Sequence, residues 1–150
     1  MDEELKKSLI DQVKFNMKKG DVMEDSILNA DATAINLRGE EQFQDGNVDE
    51  AKKLFQDAIT ADPDNCRAHN NLGVLYWSLG DIEHSMEYFT KAYEINPYHR
   101  KVVLNLLEVL TGLNQIEEAL LIGNTYLDQY PEDEDVSKLI ATFENKPNQV

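Results

Sequence analysis

Apolar residues recur along this chain at three- and four-residue steps, in short runs that are interrupted at regular intervals. From Ala68 to Leu79 the positions Leu72, Leu75, Tyr76 and Leu79 fall on one stripe of a helix, and Ile82, Met86, Phe89, Ala92 and Tyr93 form a second stripe. Between them stands Gly80-Asp81. Glycine accepts the left-handed conformation that ends a helix, and aspartate caps the next one. Two helices joined by so few residues lie antiparallel and share a seam. Gly73 and Ser85 are small residues inside these helices, which predicts a close approach of the two backbones. One such pair cannot bury both of its faces, so neighbours of the same kind must stack on it.

Those neighbours are present at a period of 34 residues. Pro63, Pro97 and Pro131 share the spacing, as do Gly39 with Gly73, Gly46 with Gly80, Phe55 with Phe89, Ala58 with Ala92, and Ser85 with Ala119. The residues Leu72-Gly73, Tyr76, Gly80, Phe89, Ala92 and Pro97 resemble the tetratricopeptide repeat, a helix-turn-helix unit of this length. The resemblance implies an all-α fold: a right-handed superhelix of antiparallel helix-turn-helix units at about 30–63, 64–97 and 98–131. An N-terminal helical extension over 1–29 precedes them, and a C-terminal capping helix with a frayed tail over 132–150 follows.

The flanks and the outer units depart from the central pattern. Residues 2 to 19 read as a helix with Leu5, Leu9, Val13 and Met17 in one stripe, acids at its start and Lys18-Lys19-Gly20 at its end. That helix has three roles open to it: capping the array, lying in the array's own groove, or making a homodimer. Residues 21 to 30 are less periodic, and the expectation there is a loop with a short helical piece around Asp25 to Leu28. In the third unit Leu107 stands where Gly39 and Gly73 stand, while Gly123 stands where Phe55 and Phe89 stand. Two readings are open: an exchange of large for small that conserves volume, or a degenerate last unit. Asn114-Gln115 replaces the Gly-Asp turn, and asparagine also adopts the left-handed conformation. Val136, Leu139, Ile140 and Phe143 form the last stripe, behind the acidic start Glu132 to Asp135.

Composition narrows the function. Hydrophobic residues make up 41% of the 150 residues and no run approaches a membrane span, so neither a disordered chain nor membrane insertion is expected. The net charge is −15. The first part of the chain is nearly balanced, five lysines against seven acids through Asp25, so about −13 lies downstream. Nucleic acid and anionic membrane surfaces are poor partners for such a chain. Cys66 is the only cysteine, so no intramolecular disulfide forms, in keeping with a cytoplasmic protein. Glycine-rich phosphate loops, nucleophile elbows and metal-binding histidine pairs are all missing from the sequence. Cys66 and His69 share a helical face, but two ligands do not make a metal site. Adjacent acids such as Glu40-Glu41 point apart on a helix. The expectation is a protein that is not an enzyme, with no catalytic residue, cofactor or metal.

What remains is recognition. In proteins that this chain resembles, the first helices of successive units line a concave groove, which implies a binding face made of Asn36, Glu40, Arg67, Asn70, Asn71, Val74, Trp77, Lys101, Asn105 and Glu108. Leu37, Phe43 and Leu104 belong to the same face. Asn71 and Asn105 are 34 apart and are expected to stack along the groove, where amides can hold an extended peptide backbone. Trp77 is either a ligand anchor or a space-filler between units. Related arrays that grip the carboxylate tails of heat-shock chaperones use a basic and amide clamp, which would fall here on Asn36, Glu40, Asn71, Lys101 and Asn105. Only Asn71 and Lys101 fit it, and Glu40 would repel a carboxylate. The expected role is a non-catalytic adaptor or scaffold whose groove holds a protein or peptide, extended or helical, of basic or apolar character. Two alternatives share the resemblance: an accessory module of a glycosyltransferase or methyltransferase, and a small secretion-type chaperone.

Overall fold

A computed structural model describes residues 22–145, with side-chain surroundings from residue 31 onward. The expected helix over 2–19 and the tail after Asn145 lie outside the described residues. The rest consists of seven helices: α1 (Val22–Gln44), α2 (Val48–Ala61), α3 (Cys66–Ser78), α4 (Ile82–Ile95), α5 (Arg100–Gly112), α6 (Ile116–Gln129) and α7 (Glu134–Glu144). No strand occurs among the described residues. Where a loop with a short helical piece around Asp25 to Leu28 is expected, the helix is longer: from Val22 the chain is helical and runs without a break into the first unit, so the boundary drawn at residue 29 falls inside α1. The apolar period weakens over this stretch, but nothing in it breaks a helix, since it contains neither proline nor glycine.

Helices pair as α1 with α2, α3 with α4, and α5 with α6, and each pair packs on the next, with α7 closing on α6. The first helices also touch one another, α1 to α3 and α3 to α5, which sets them in one layer. The turns within the pairs are alike in atomic detail. Gly46, Gly80 and Asn114 all have positive φ, at 83°, 75° and 59°. At each one the following N–H reaches back across the helix end, Asn47 to the carbonyl of Gln42, Asp81 to that of Tyr76 and Gln115 to that of Leu110, which satisfies an otherwise orphaned carbonyl. Side-chain caps from Asn65, Asp81 and Asp133 start α3, α4 and α7.

Close packing depends on the small residues. A methyl group built on Gly73 would lie 2.6 Å from Cδ1 of Phe89, and one built on Gly39 would lie 2.6 Å from Cε1 of Phe55. Each phenylalanine of a second helix therefore rests directly on the backbone of its first helix. Ser85, fully buried, donates its hydroxyl to the carbonyl of Gly73 at 2.8 Å. In the third unit the order is reversed: Leu107 reaches Gly123, and Ile140 of α7 fills the remaining space. The core then continues through Val103, Leu110, Tyr126, Val136 and Phe143, which carries the last pair into the closing helix.

Candidate functional site

The layer of first helices carries a polar cluster built from residues distant in sequence. Glu40 of α1 is at its centre. Arg67 of α3 donates from Nε to Oε1 and from Nη2 to Oε2, both at 2.6 Å. Asn71 Nδ2 donates to the same Oε1 at 2.7 Å, and Asn36 Nδ2 does so at 3.1 Å. Asn71 Nδ2 donates as well to Asn36 Oδ1, at 3.1 Å. The helical spacing explains the convergence: Asn36 and Glu40 are one turn apart on α1, as Arg67 and Asn71 are on α3. Burial by itself would raise the Glu40 pKa, but the hydrogen bonds from Arg67, Asn71 and Asn36, together with the guanidinium charge, outweigh it and hold the carboxyl below its ordinary range.

One rung further along, Asn105 of α5 donates from Nδ2 to Oδ1 of Asn70 on α3 at 2.9 Å. Asn71 to Asn36 and Asn105 to Asn70 are the same contact one repeat apart, each linking a first helix to the first helix before it. This revises the expected groove. Asn36 and Asn70 are buried, at 1% and 3% exposure, and they hold up the half-buried amides of Asn71 and Asn105 without facing a ligand themselves. Asn71 and Asn105 do not bond to one another; each turns to a buried amide because a buried polar group without a partner is costly.

The other expected positions divide. Trp77 is half-buried, packs with the cluster of Val102, Leu106 and Val109, and lies against Gly112 at the end of α5, so it fills space between units. Val74 is half-buried, while Lys101 and Glu108 are exposed and have no ion-pair partner among the described residues. A hollow of about 210 Å³ opens beside the polar cluster, lined by Glu40, Phe43, Gln44, Phe55, Asn71, Val74 and Lys101. Gln44 and Phe55 were not on the expected face. Phe55 belongs to a second helix and reaches the hollow because Gly39 has no side chain to cover its ring; the glycine is the signal that could have indicated it.

Other candidate chemistry resolves into packing. Cys66 donates its thiol to the carbonyl of Ala92 at 3.4 Å, and burial raises its pKa. His69 lies 2.8 Å through Nε2 from the carbonyl of Pro63, with its ring near Tyr88. Among the described residues no three His, Cys, Asp or Glu side chains gather as a metal site would need. No helix among them is long and apolar enough to cross a membrane. A larger hollow, about 560 Å³, follows α4 between His69, Met86, Tyr88 and Glu94, but it draws polar groups from little beyond that one helix.

Two tetratricopeptide repeat models match the chain, over residues 36–100 and 80–142. The mitochondrial import receptor subunit TOM70 of Saccharomyces cerevisiae is 30% identical over 89 residues, which are 59% of this chain and 14% of that protein. The uncharacterized protein MJ0572 of Methanocaldococcus jannaschii is 43% identical over 47 residues, 31% of this chain and 55% of that one. This chain therefore spans only a small part of TOM70. Among solved structures, the first TPR of Spaghetti (RPAP3) bound to the HSP90 peptide SRMEEVD superposes with a TM-score of 0.67 at 20% identity, covering 75% of this chain and 92% of that one. The second TPR domain of human RPAP3 in complex with the HSP70 peptide SGPTIEEVD gives 0.67 at 20%, covering 79% and 99%. The Arabidopsis OM64 TPR domain gives 0.66 at 15%, covering 80% and 99%. At these identities the likeness is one of fold. With the 34-residue period, the three helix pairs and both family models in agreement, this chain belongs to the tetratricopeptide repeat family.

Proposed function

We propose that this protein is a non-catalytic interaction module that holds a segment of a partner protein along the layer formed by α1, α3 and α5. The observation that carries this reading is the hollow of about 210 Å³ at the meeting of those helices, with Phe43, Phe55 and Val74 as apolar walls and Asn71 and Lys101 as polar ones. With Glu40 and Gln44 the polar side chains outnumber the apolar ones, a lining suited to a peptide backbone with one apolar side chain. The two RPAP3 domains of like fold carry peptides of partner proteins in their solved complexes, which supports the same use of the fold here. The net charge of −15 favours a partner segment of basic or apolar character. The lone free Cys66 suits a reducing compartment such as the cytoplasm.

The test is to capture a binding partner with the intact protein, identify the bound segment, and measure its affinity for the wild type and for Lys101→Glu. Lys101 is exposed and bonds to nothing among the described residues, so its reversal leaves the fold intact. An Asn105→Ala change would be a poorer probe, because it strips Asn70 of its donor. A change of about tenfold or more on Lys101→Glu supports the groove, weaker where Lys101 donates to the segment and tighter where the segment is basic. An unchanged affinity puts the partner on another face.

A further inference from the structure

Three side chains from two helices direct N–H groups at one point, and the group found there belongs to the protein. Glu40 receives two hydrogen bonds from Arg67, one from Asn71 and one from Asn36. A guanidinium and two amides converging in this way form an anion site. We infer that the inner face of the array is a carboxylate site already filled by Glu40, and that this resident charge makes the neighbouring hollow select an internal, carboxylate-free segment of a partner. The inference rests on the interaction reading given above and names the chemistry that reading leaves open.

The remaining hydrogen-bonding capacity follows from the contacts. Asn71 engages both amide hydrogens, on Asn36 and Glu40, so it offers a ligand only its carbonyl oxygen. That oxygen accepts a backbone N–H or a cationic group and gives nothing to a carboxylate. Arg67, which would otherwise attract an anion, has its charge answered at 2.6 Å. Lys101 on the opposite rim is a free donor, as is the exposed amide of Gln44, and an ammonium is well matched to a backbone carbonyl. The hollow between them, about 210 Å³, is of the size of one aliphatic or aromatic side chain. The occupant described by these groups places one apolar side chain among Phe43, Phe55 and Val74, donates its N–H to Asn71 and presents its carbonyl to Lys101. A chain end or an acidic side chain placed there would meet the Glu40 carboxylate, and the guanidinium and amides that converge on that carboxylate are already engaged by it.

The experiment uses the whole protein and two fluorescein-labelled hexapeptides of one leucine-containing sequence, one ending in a free carboxylate and one in an amide. Binding is measured by anisotropy for the wild type, Glu40→Ala and Glu40→Gln, with circular dichroism melts showing that each is folded. The expected result is that the wild type binds the amide form at least as tightly as the acid form. Glu40→Ala and Glu40→Gln, with Arg67 and Asn71 released, should shift preference toward the free carboxylate by about tenfold. Sodium acetate should raise the melting temperature of Glu40→Ala above that in equal sodium chloride and leave the wild type unmoved, because only an emptied site binds it. A wild type that prefers the acid form, or a Glu40→Ala protein that gains neither carboxylate preference nor acetate stabilisation, overturns the inference. If the wild type binds neither peptide while Glu40→Ala still responds to acetate, the resident-carboxylate assignment stands and the groove reading is the part at fault.

Discussion

Leu107 lies over Gly123, with its Cδ2 3.6 Å from where a methyl group on that glycine would be, and this inverts the pairing of Gly73 beneath Phe89. The same volume is supplied from the first helix in one unit and from the second helix in the other. A prediction follows from which atoms are crowded. In Gly73→Ala the new methyl meets a rigid ring, so the strain of overpacking, about 1–3 kcal/mol, exceeds the gain of about 1 kcal/mol in helix propensity. Gly123→Ala meets the flexible end of Ile140 and should lose less. Urea denaturation of the two variants decides it; a Gly73→Ala protein as stable as the wild type would contradict this packing.

The amide contacts between first helices predict a second asymmetry. Asn105→Ala leaves the buried carbonyl of Asn70 without its donor, and should destabilise by about 1–3 kcal/mol although Asn105 itself is half-buried. The double change Asn70→Leu, Asn105→Ala removes both groups and should recover much of the loss. If the double variant is no more stable than the single one, the contact is not what holds this rung.

Asp133 joins three elements. Its Oδ1 accepts from the N–H of Val136 at the start of α7, while Oδ2 accepts from Arg100 Nε at 2.8 Å and from the Tyr126 hydroxyl at 3.1 Å. Asp133→Ala should cost about 1–2 kcal/mol, chiefly through loss of the cap. Arg100→Ala should cost less than Asp133→Ala, because its half-exposed guanidinium is screened by solvent. Thermal melts of the two variants check the order.

Acid should destabilise the fold through Glu40 and Asp133. Hydrogen bonding from Arg100 is the main cause that lowers the Asp133 pKa, and the Glu40 pKa is lowered because the bonds from Arg67, Asn71 and Asn36 outweigh its burial. A carboxyl with a lowered pKa in the folded state takes up its proton first in the unfolded state. Its stabilisation is therefore complete above the ordinary carboxylate range, about pH 4–5, and is lost as the pH falls below it. Melting temperatures measured from pH 7 down to pH 3 should fall at the acid end. The gap between wild type and Glu40→Gln should narrow there, and a gap that widens on acidification would reverse the assigned sign.

The period of the chain made most of the fold legible. Proline, glycine and phenylalanine recurring at 34 residues marked where helices end and where they touch, and even Asn114 in place of glycine was readable because few residues besides glycine tolerate positive φ. From Val22 to Ala30 only the helical piece around Asp25 to Leu28 is legible, because the apolar positions keep no regular step, and a helix needs no amphipathic stripe to continue one that is already nucleated.

The site was only half legible. Stepping by repeats named Glu40, Arg67, Asn71 and Lys101 together, but could not tell a groove-facing amide from a buried one, since Asn70 and Asn71 are adjacent in sequence and differ only in the direction each takes from α3. By itself the sequence determined that like hairpins must stack, because their spacing and apolar stripes recur and no single pair can cover its own surface. The tertiary structure alone decided which polar groups satisfy one another. Arg67 and Glu40, 27 residues apart, meet only after α3 has packed on α1, and that meeting leaves Asn71 and Lys101 among the groups still open to a partner.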